Sequence, residues 1–203
     1  MFDVDSTLIA HEAIEEIADV LGKRDLVASI TDRAMRGEID FVEALNQRVQ
    51  LLEGVKEEEL IEISKTFRIN EGASELIEHV HSIGGKACAV SGGFRSLLHP
   101  IAEELGLDDY RANTLELESG KLTGRLIPPI IDAHAKKSAL ISWSKEFGIS
   151  LSKTMAIGDG ANDLLMMEAA AVSVGFMPKP IVAKSCDYVI DRPDFRAAIG
   201  LLP

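Results

Sequence analysis

The chain has 203 residues, 27% of them charged and 46% hydrophobic, with a formal net charge of −12. Such a length and balance predict a folded protein, either one domain with an insertion or one domain and a small second one, and exclude disorder. An acidic surface without a basic run repels phosphate backbones and anionic lipid; this argues against nucleic acid and membrane as partners, and any phosphate site must bring its own local cations. The two cysteines, Cys88 and Cys186, lie far apart and form no CxxC pair. No disulfide framework is expected, which fits a reducing compartment. No apolar run approaches the roughly 18 residues of a membrane span. The start Met1-Phe2-Asp3 has neither the basic flank nor the apolar stretch of a signal peptide, so a cytoplasmic protein is expected.

The first third reads as helices. Ile14, Ile17, Ala18 and Leu21 fall on one helical face, and Gly22 ends the run as a C-cap. A second helix is predicted over Asp25–Arg36, stopping at Gly37. Phe41, Leu45, Val49 and Leu52 form the apolar stripe of a third. Lys56–Lys65 reads as a fourth. From about Gly72 helical segments alternate with short apolar runs. Helices are expected at 74–83, 96–105, 136–147 and 161–170, and strands at 86–90, 113–117, 122–126, 154–157, 172–175 and 188–190, with a short terminal helix. Glu118-Ser119-Gly120-Lys121 reads as a hairpin turn. Strand–helix alternation implies a parallel sheet covered on both faces, with its site at the carboxyl ends of the strands. The predicted fold is a Rossmann-like, doubly wound α/β core (1–12 and 70–203) interrupted by an all-helical insertion (13–69).

Four segments fall where strands end or a helix begins: Asp3-Val4-Asp5-Ser6-Thr7, Ser91-Gly92-Gly93, Lys136, and Gly158-Asp159-Gly160-Ala161-Asn162-Asp163. Singly, each reads as a turn, a cap or a solvated pair. A calcium loop starting at Asp159 fails, because its twelfth position is Ala170 rather than a bidentate Glu. Together they supply a phosphoryl-transfer site. Asp3 and Asp159 can hold Mg²⁺, which prefers one or two carboxylates plus phosphate oxygens and water. Ser91 with the Gly92 and Gly93 amides is expected to point at an anion from a helix N-terminus, and Lys136 to add a point charge. Asp3, with an ordinary pKa of about 3.9, is an ionised nucleophile at neutral pH. Asp5 is the expected proton carrier. The histidines His79, His81, His99 and His134 share no metal-ligand spacing.

At these segments the chain resembles the haloacid dehalogenase-like (HAD) hydrolase superfamily, and within it the phosphoserine phosphatase family. The narrower resemblance lies in Phe2-Asp3-Val4-Asp5-Ser6-Thr7-Leu8 followed by Glu12, and in Phe41, Leu45, Arg48, Val49, Leu51 and Leu52. It also includes Val90-Ser91-Gly92-Gly93-Phe94 and the tail from Lys179-Pro180-Ile181 to Asp187-Tyr188. The resemblance implies Mg²⁺-dependent hydrolysis of O-phosphoserine, the last step of serine biosynthesis, through an aspartyl-phosphate intermediate in a monomer or homodimer. It makes Asp3 the nucleophile and a metal ligand, and Asp5 the acid–base, ligating through its main-chain carbonyl. Asp159 becomes a further ligand, supported by Asp163. Ser91, Gly92, Gly93, Lys136 and Asn162 would hold the phosphate, and Glu12, Phe41 and Arg48 would face the amino acid. The insertion would be a cap.

The family places a hydrophobic strand of about five residues before the first Asp, whereas here only Met1 and Phe2 precede it. A few further apolar residues upstream are therefore expected to complete that strand. Two alternatives stay within the superfamily: a phosphotransferase, or a phosphatase of another small phosphomonoester. A receiver domain phosphorylated on Asp is a third reading, opposed by the insertion directly after Asp3-Val4-Asp5.

Overall fold

The computed structural model describes residues 1–36 and 38–203. The predicted strand–helix alternation folds into a parallel sheet. Strand β1 (Cys88–Phe94) pairs in parallel with β2 (Asp109–Glu118), Cys88 opposite Asp109 and Val90 opposite Arg111. On the other side, β4 (Met155–Gly158), β5 (Val172–Phe176) and β6 (Tyr188–Ile190) pair in parallel in that order. The two halves meet at one residue. Phe2 bridges Ala89 of β1 and Ile157 of β4 at once. Its amide donates to Cys88 O at 2.9 Å, and its carbonyl accepts from Val90 N at 2.8 Å. Met1 O accepts from Ile157 N at 2.9 Å, and Asp3 N donates to Ile157 O at 2.8 Å. Met1 and Phe2 thus pair with both halves of the sheet and deliver Asp3 to its carboxyl edge.

Helices α5 (Ala73–Ser82), α6 (Arg95–Glu104), α7 (Ala133–Glu146) and α8 (Leu164–Ala169) cover the sheet. Several elements differ from expectation in ways that matter for the site. β1 runs four residues further than the predicted strand, so Ser91, Gly92 and Gly93 lie on the strand itself. The predicted helix 161–170 begins as a tight turn, Ala161–Asp163, before α8. A short helix, α9 (Pro180–Ala183), escaped the sequence reading. β2 and β3 (Lys121–Ile127) form the expected hairpin, with Glu118 opposite Lys121.

Among the described residues, four helices fill the insertion: α1 (Ala13–Val20), α2 (Arg24–Met35), α3 (Phe41–Gln50) and α4 (Glu57–Ser64). The predicted stop of α2 at Gly37 lies outside the described residues. Asp40 caps α3, accepting from Glu43 N at 2.8 Å. The chain enters and leaves the insertion through an antiparallel neck: Ala10 N donates to Arg68 O at 3.0 Å and Asn70 N to Leu8 O at 2.9 Å. The insertion does not close a core of its own. Ile17, Val27, Leu45, Val49, Leu52 and Leu60 share one apolar cluster with Phe94 and Leu97 and with Leu115 and Leu122 of the hairpin. Gly54 N and Val55 O pair with Leu122, stitching the hairpin to the insertion. No helix among the described residues is long and apolar enough to cross a membrane.

Phe2 is 3% exposed and packs edge-on against Phe195, ring centroids 5.8 Å apart. Phe2→Ala keeps the backbone bonds but opens a cavity where the two halves of the sheet meet. We expect a loss of about 3–5 kcal/mol in urea unfolding; a loss below about 1 kcal/mol would mean that the halves are held together elsewhere.

Candidate active site

Past Phe2 the chain makes one wide turn, Val4–Leu8, closed by Ile9 N donating to Val4 O at 3.0 Å. Ser6 sits in it at φ +56°, a left-handed conformation that costs a non-glycine residue energy. The turn throws Asp3 and Asp5 in different directions. Asp3 faces Asp159 and Asp163. All three are at least 94% buried, and each offers an oxygen within 4.8 Å of the others. Asp163 is locked by its own loop, its Oδ2 accepting from Asp159 N at 3.2 Å and Gly160 N at 3.1 Å. Gly158 is required here, because a Cβ would lie 2.5 Å from the Asp163 carboxyl carbon.

Lys136, on α7, reaches this cluster from beneath. Its ammonium donates to Asp3 Oδ1 and, at 2.7 Å, to Asp163 Oδ1. Burial pulls this ammonium down, but Asp3 and Asp163 together lift it above the ordinary lysine value. Lys136, expected to add a point charge for phosphate, is 1% exposed and pairs with two carboxylates. Burial, then the charge of Asp163, push Asp3 well above the usual carboxylate range, with Lys136 opposing. Burial likewise raises Asp159, and Lys179 opposes it with an ion pair at 3.1 Å. Three buried carboxylates with converging oxygens form a hard, anionic donor set, which fits a divalent cation.

The Asp5 carboxylate turns toward the insertion. Oδ1 accepts from Ala13 N at the start of α1 and Oδ2 from Ser91 Oγ, both at 2.8 Å. The Gly93 amide, expected to face an anion, donates instead to Ser91 Oγ at 2.7 Å. The segment is also not a helix N-terminus, since α6 starts only at Arg95. Gly93 is needed for another reason: a Cβ there would meet Asp5 Oδ2 at 2.7 Å and Ser91 Oγ at 2.9 Å. Gly92 is held by Asn113, whose Nδ2 donates to Gly92 O at 2.8 Å and whose Oδ1 accepts from Ile131 N at 2.8 Å. Asn113, a single amide within a strand run, carries no sequence signal, and neither does Lys179 as a partner of Asp159.

Glu12 immediately precedes α1 and accepts from Ser6 Oγ at 2.7 Å. Burial first and the nearby Asp5 second raise its pKa to about 7. Arg48, on α3, is half-buried. Its hydrogen bonds go to two neutral acceptors, Ala44 O at 3.3 Å and Thr31 Oγ1 at 3.4 Å, and its charge faces Glu12 and Asp5. Phe41 lies over the strand end, its ring tip 3.5 Å from where a Gly92 Cβ would stand. Asn162 folds over Gly160. The fold therefore gathers residues from the first turn, β1, α7, the β4 loop and the insertion at the carboxyl edge of the sheet.

A parallel sheet with this carboxylate cluster at the end of its central stub defines a class. The model of the haloacid dehalogenase-like hydrolase family matches residues 1–168, and the chain belongs to that family. Among curated relatives it is similar to a phosphoserine phosphatase of Streptococcus thermophilus, 42% identical over 202 residues that cover all of this chain and 94% of the other. Among solved structures it is similar to a phospho-aspartyl intermediate analogue of phosphoserine phosphatase (TM-score 0.92, 38% identity, covering 100% of this chain and 97% of that one). It is also similar to a substrate-bound phosphoserine phosphatase complex (TM-score 0.92, 37% identity, covering 100% and 96%).

The raised Glu12 pKa makes stability depend on pH. The unfolded chain releases this proton near the ordinary 4.5, the folded metal-free protein only near 7, so stability is lost as pH rises through that window. Glu12→Gln should spare the metal-free protein this loss. Its urea midpoint should gain on wild type between pH 4.5 and 7; a constant difference across the window would place the Glu12 titration elsewhere.

Proposed function

We propose that the chain is a magnesium-dependent phosphoserine phosphatase that hydrolyses O-phosphoserine to serine and phosphate through an aspartyl phosphate on Asp3, the last step of serine biosynthesis. The observation that carries this reading is a carboxylate and a guanidinium, Glu12 and Arg48, each within electrostatic reach of Asp5. A carboxylate and a guanidinium match the ammonium and carboxylate of an amino acid, and a planar guanidinium can grip a carboxylate at two points. Full-length likeness to phosphoserine phosphatases supports the same substrate.

In this mechanism a carboxylate oxygen of Asp3 attacks phosphorus and the bond to the seryl oxygen breaks. Asp5 gives that oxygen its proton. Water then attacks the phosphoryl group on Asp3, Asp5 takes the water's proton, and phosphate leaves. Asp3, Asp159 and the Asp5 carbonyl, with Asp163 in support, would hold Mg²⁺, which would supply the positive charge that lets two anions meet. Ser91 and the Gly92 amide hold phosphate oxygens together with Asn162, and Gly93 orients the Ser91 hydroxyl. Lys136 keeps Asp3 and Asp163 in place and lends positive charge near the phosphoryl group. Residues 13–69 act as the cap that brings Phe41 and Arg48 over the site, while residues 1–12 and 70–203 form the catalytic core. The protein acts in the cytoplasm, a reading supported by two unpaired cysteines.

Asp3→Asn should abolish phosphate release while the circular dichroism spectrum stays native, and Asp5→Asn should slow it by about 10²–10⁴-fold. Substantial turnover by Asp3→Asn would rule out the aspartyl phosphate. Dialysis against a chelator should stop the reaction and Mg²⁺ restore it. Arg48→Ala should leave the substrate carboxylate unpaired and cost about 2–5 kcal/mol in kcat/KM on phosphoserine. On p-nitrophenyl phosphate, which has no carboxylate, the same variant should change little. An equal fall on both substrates would remove the support for an amino-acid substrate.

A further inference from the structure

Two lysines face the buried carboxylates, and they are held in opposite ways. Lys136 is 1% exposed and lies between Asp3 and Asp163. Lys179 has a side chain 53% exposed and, among the described residues, one ion pair, to Asp159 Oδ2 at 3.1 Å. Its backbone is pinned. Lys179 N donates to Asp159 O at 2.9 Å, and Lys179 O accepts from Val182 N at 2.9 Å in the first turn of α9. Pro180 follows at the first helical position. The long side chain is thus a free arm on a fixed post, and a single half-exposed ion pair holds it only weakly. One buried ammonium leaves the three-carboxylate cluster with excess negative charge, and Lys179 supplies a second positive charge from the rim. A divalent cation bound there needs the Asp159 carboxylate, whose Oδ2 Lys179 occupies. The charge of Glu12 also acts on Lys179, so a displaced ammonium has another carboxylate to face.

We propose that Lys179 is an exchangeable counter-ion: it neutralises Asp159 in the metal-free protein, is displaced by the divalent cation, and thereby weakens metal binding while stabilising the metal-free fold. The inference rests on the metal site proposed above. Lys136 cannot play this part, because it is enclosed and bridges two carboxylates at once. Lys179 acts through Asp159 and is a positioning residue.

The test is calorimetric titration of the metal-free full-length chain with Mg²⁺, together with melting curves at increasing Mg²⁺. Lys179→Met removes the charge and keeps much of the length. It should bind Mg²⁺ about two- to tenfold more tightly than wild type. Without metal it should melt lower than wild type, and the gap should close as Mg²⁺ is added. Lys179→Arg, which keeps the charge, should stay near wild type in both measurements. If Lys179→Met does not fold without metal, Lys179→Gln, which retains a hydrogen-bond donor, undergoes the same titration with the same expected direction. Equal or weaker Mg²⁺ binding by the neutral variant overturns the counter-ion role while leaving the metal site standing. A wild-type chain that binds no Mg²⁺ overturns both.

Discussion

Everything at the site hangs on backbone pairing by two residues. Met1 and Phe2 lie between β1 and β4 and hydrogen-bond to both. Parallel strands point their carboxyl ends the same way, so this pairing alone brings Asp3 level with Ser91 on one side and Asp159 on the other. The pairing is short, but it is enclosed. Phe2 and Val4 belong to the main apolar cluster with Ala89, Ile157, Phe176 and Phe195. Packing on both faces excludes water from these few bonds, where each counts for more than on a surface.

The second constraint is electrostatic. Bringing Asp3 beside the loop that follows β4 brings three carboxylates together, and burial makes Asp3 and Asp159 costly to ionise. The chain answers with Lys136 from beneath and Lys179 from the rim. The buried lysine is also a geometric device, since one ammonium bonded to Asp3 and Asp163 fixes Asp3 relative to the β4 loop. Glycines at 93 and 158 permit the close approach, each meeting a carboxylate where any side chain would collide. An overall charge of −12 is compatible with an anionic substrate only because the cations are local.

The helical insertion shares its apolar cluster with Phe94, Leu97 and the β2–β3 hairpin. Phe94 directly follows the Ser91-Gly92-Gly93 segment, so the packing that seats the insertion also seats that strand end. Ala13 N, the first helical amide of α1, donates to Asp5. The groups proposed for specificity and for proton transfer are therefore mechanically joined: the helix that follows Glu12 also holds the Asp5 carboxylate.

The class of fold was legible in the residue pattern, and so were the segments that the structure gathers at the sheet edge. Apolar periodicity marks helices and strands wherever a face is buried, and turn-prone Asp, Gly and Ser runs mark strand ends. Resemblance along the chain then pointed to Glu12, Phe41 and Arg48, which no periodicity distinguishes from surface residues. Boundaries were legible only to within a few residues, and the continuation of β1 through Ser91-Gly92-Gly93 was not, because glycines carry no strand signal. Only the tertiary structure decided who partners whom. That Lys136 is spent on carboxylates, that Gly93 N turns to Ser91, that Asn113 holds Gly92 and that Lys179 reaches Asp159 all depend on segments far apart in the chain meeting at one sheet edge. A single sequence records each residue's chemistry but not its neighbours in space, and at a buried charged site the neighbours set protonation, direction and role.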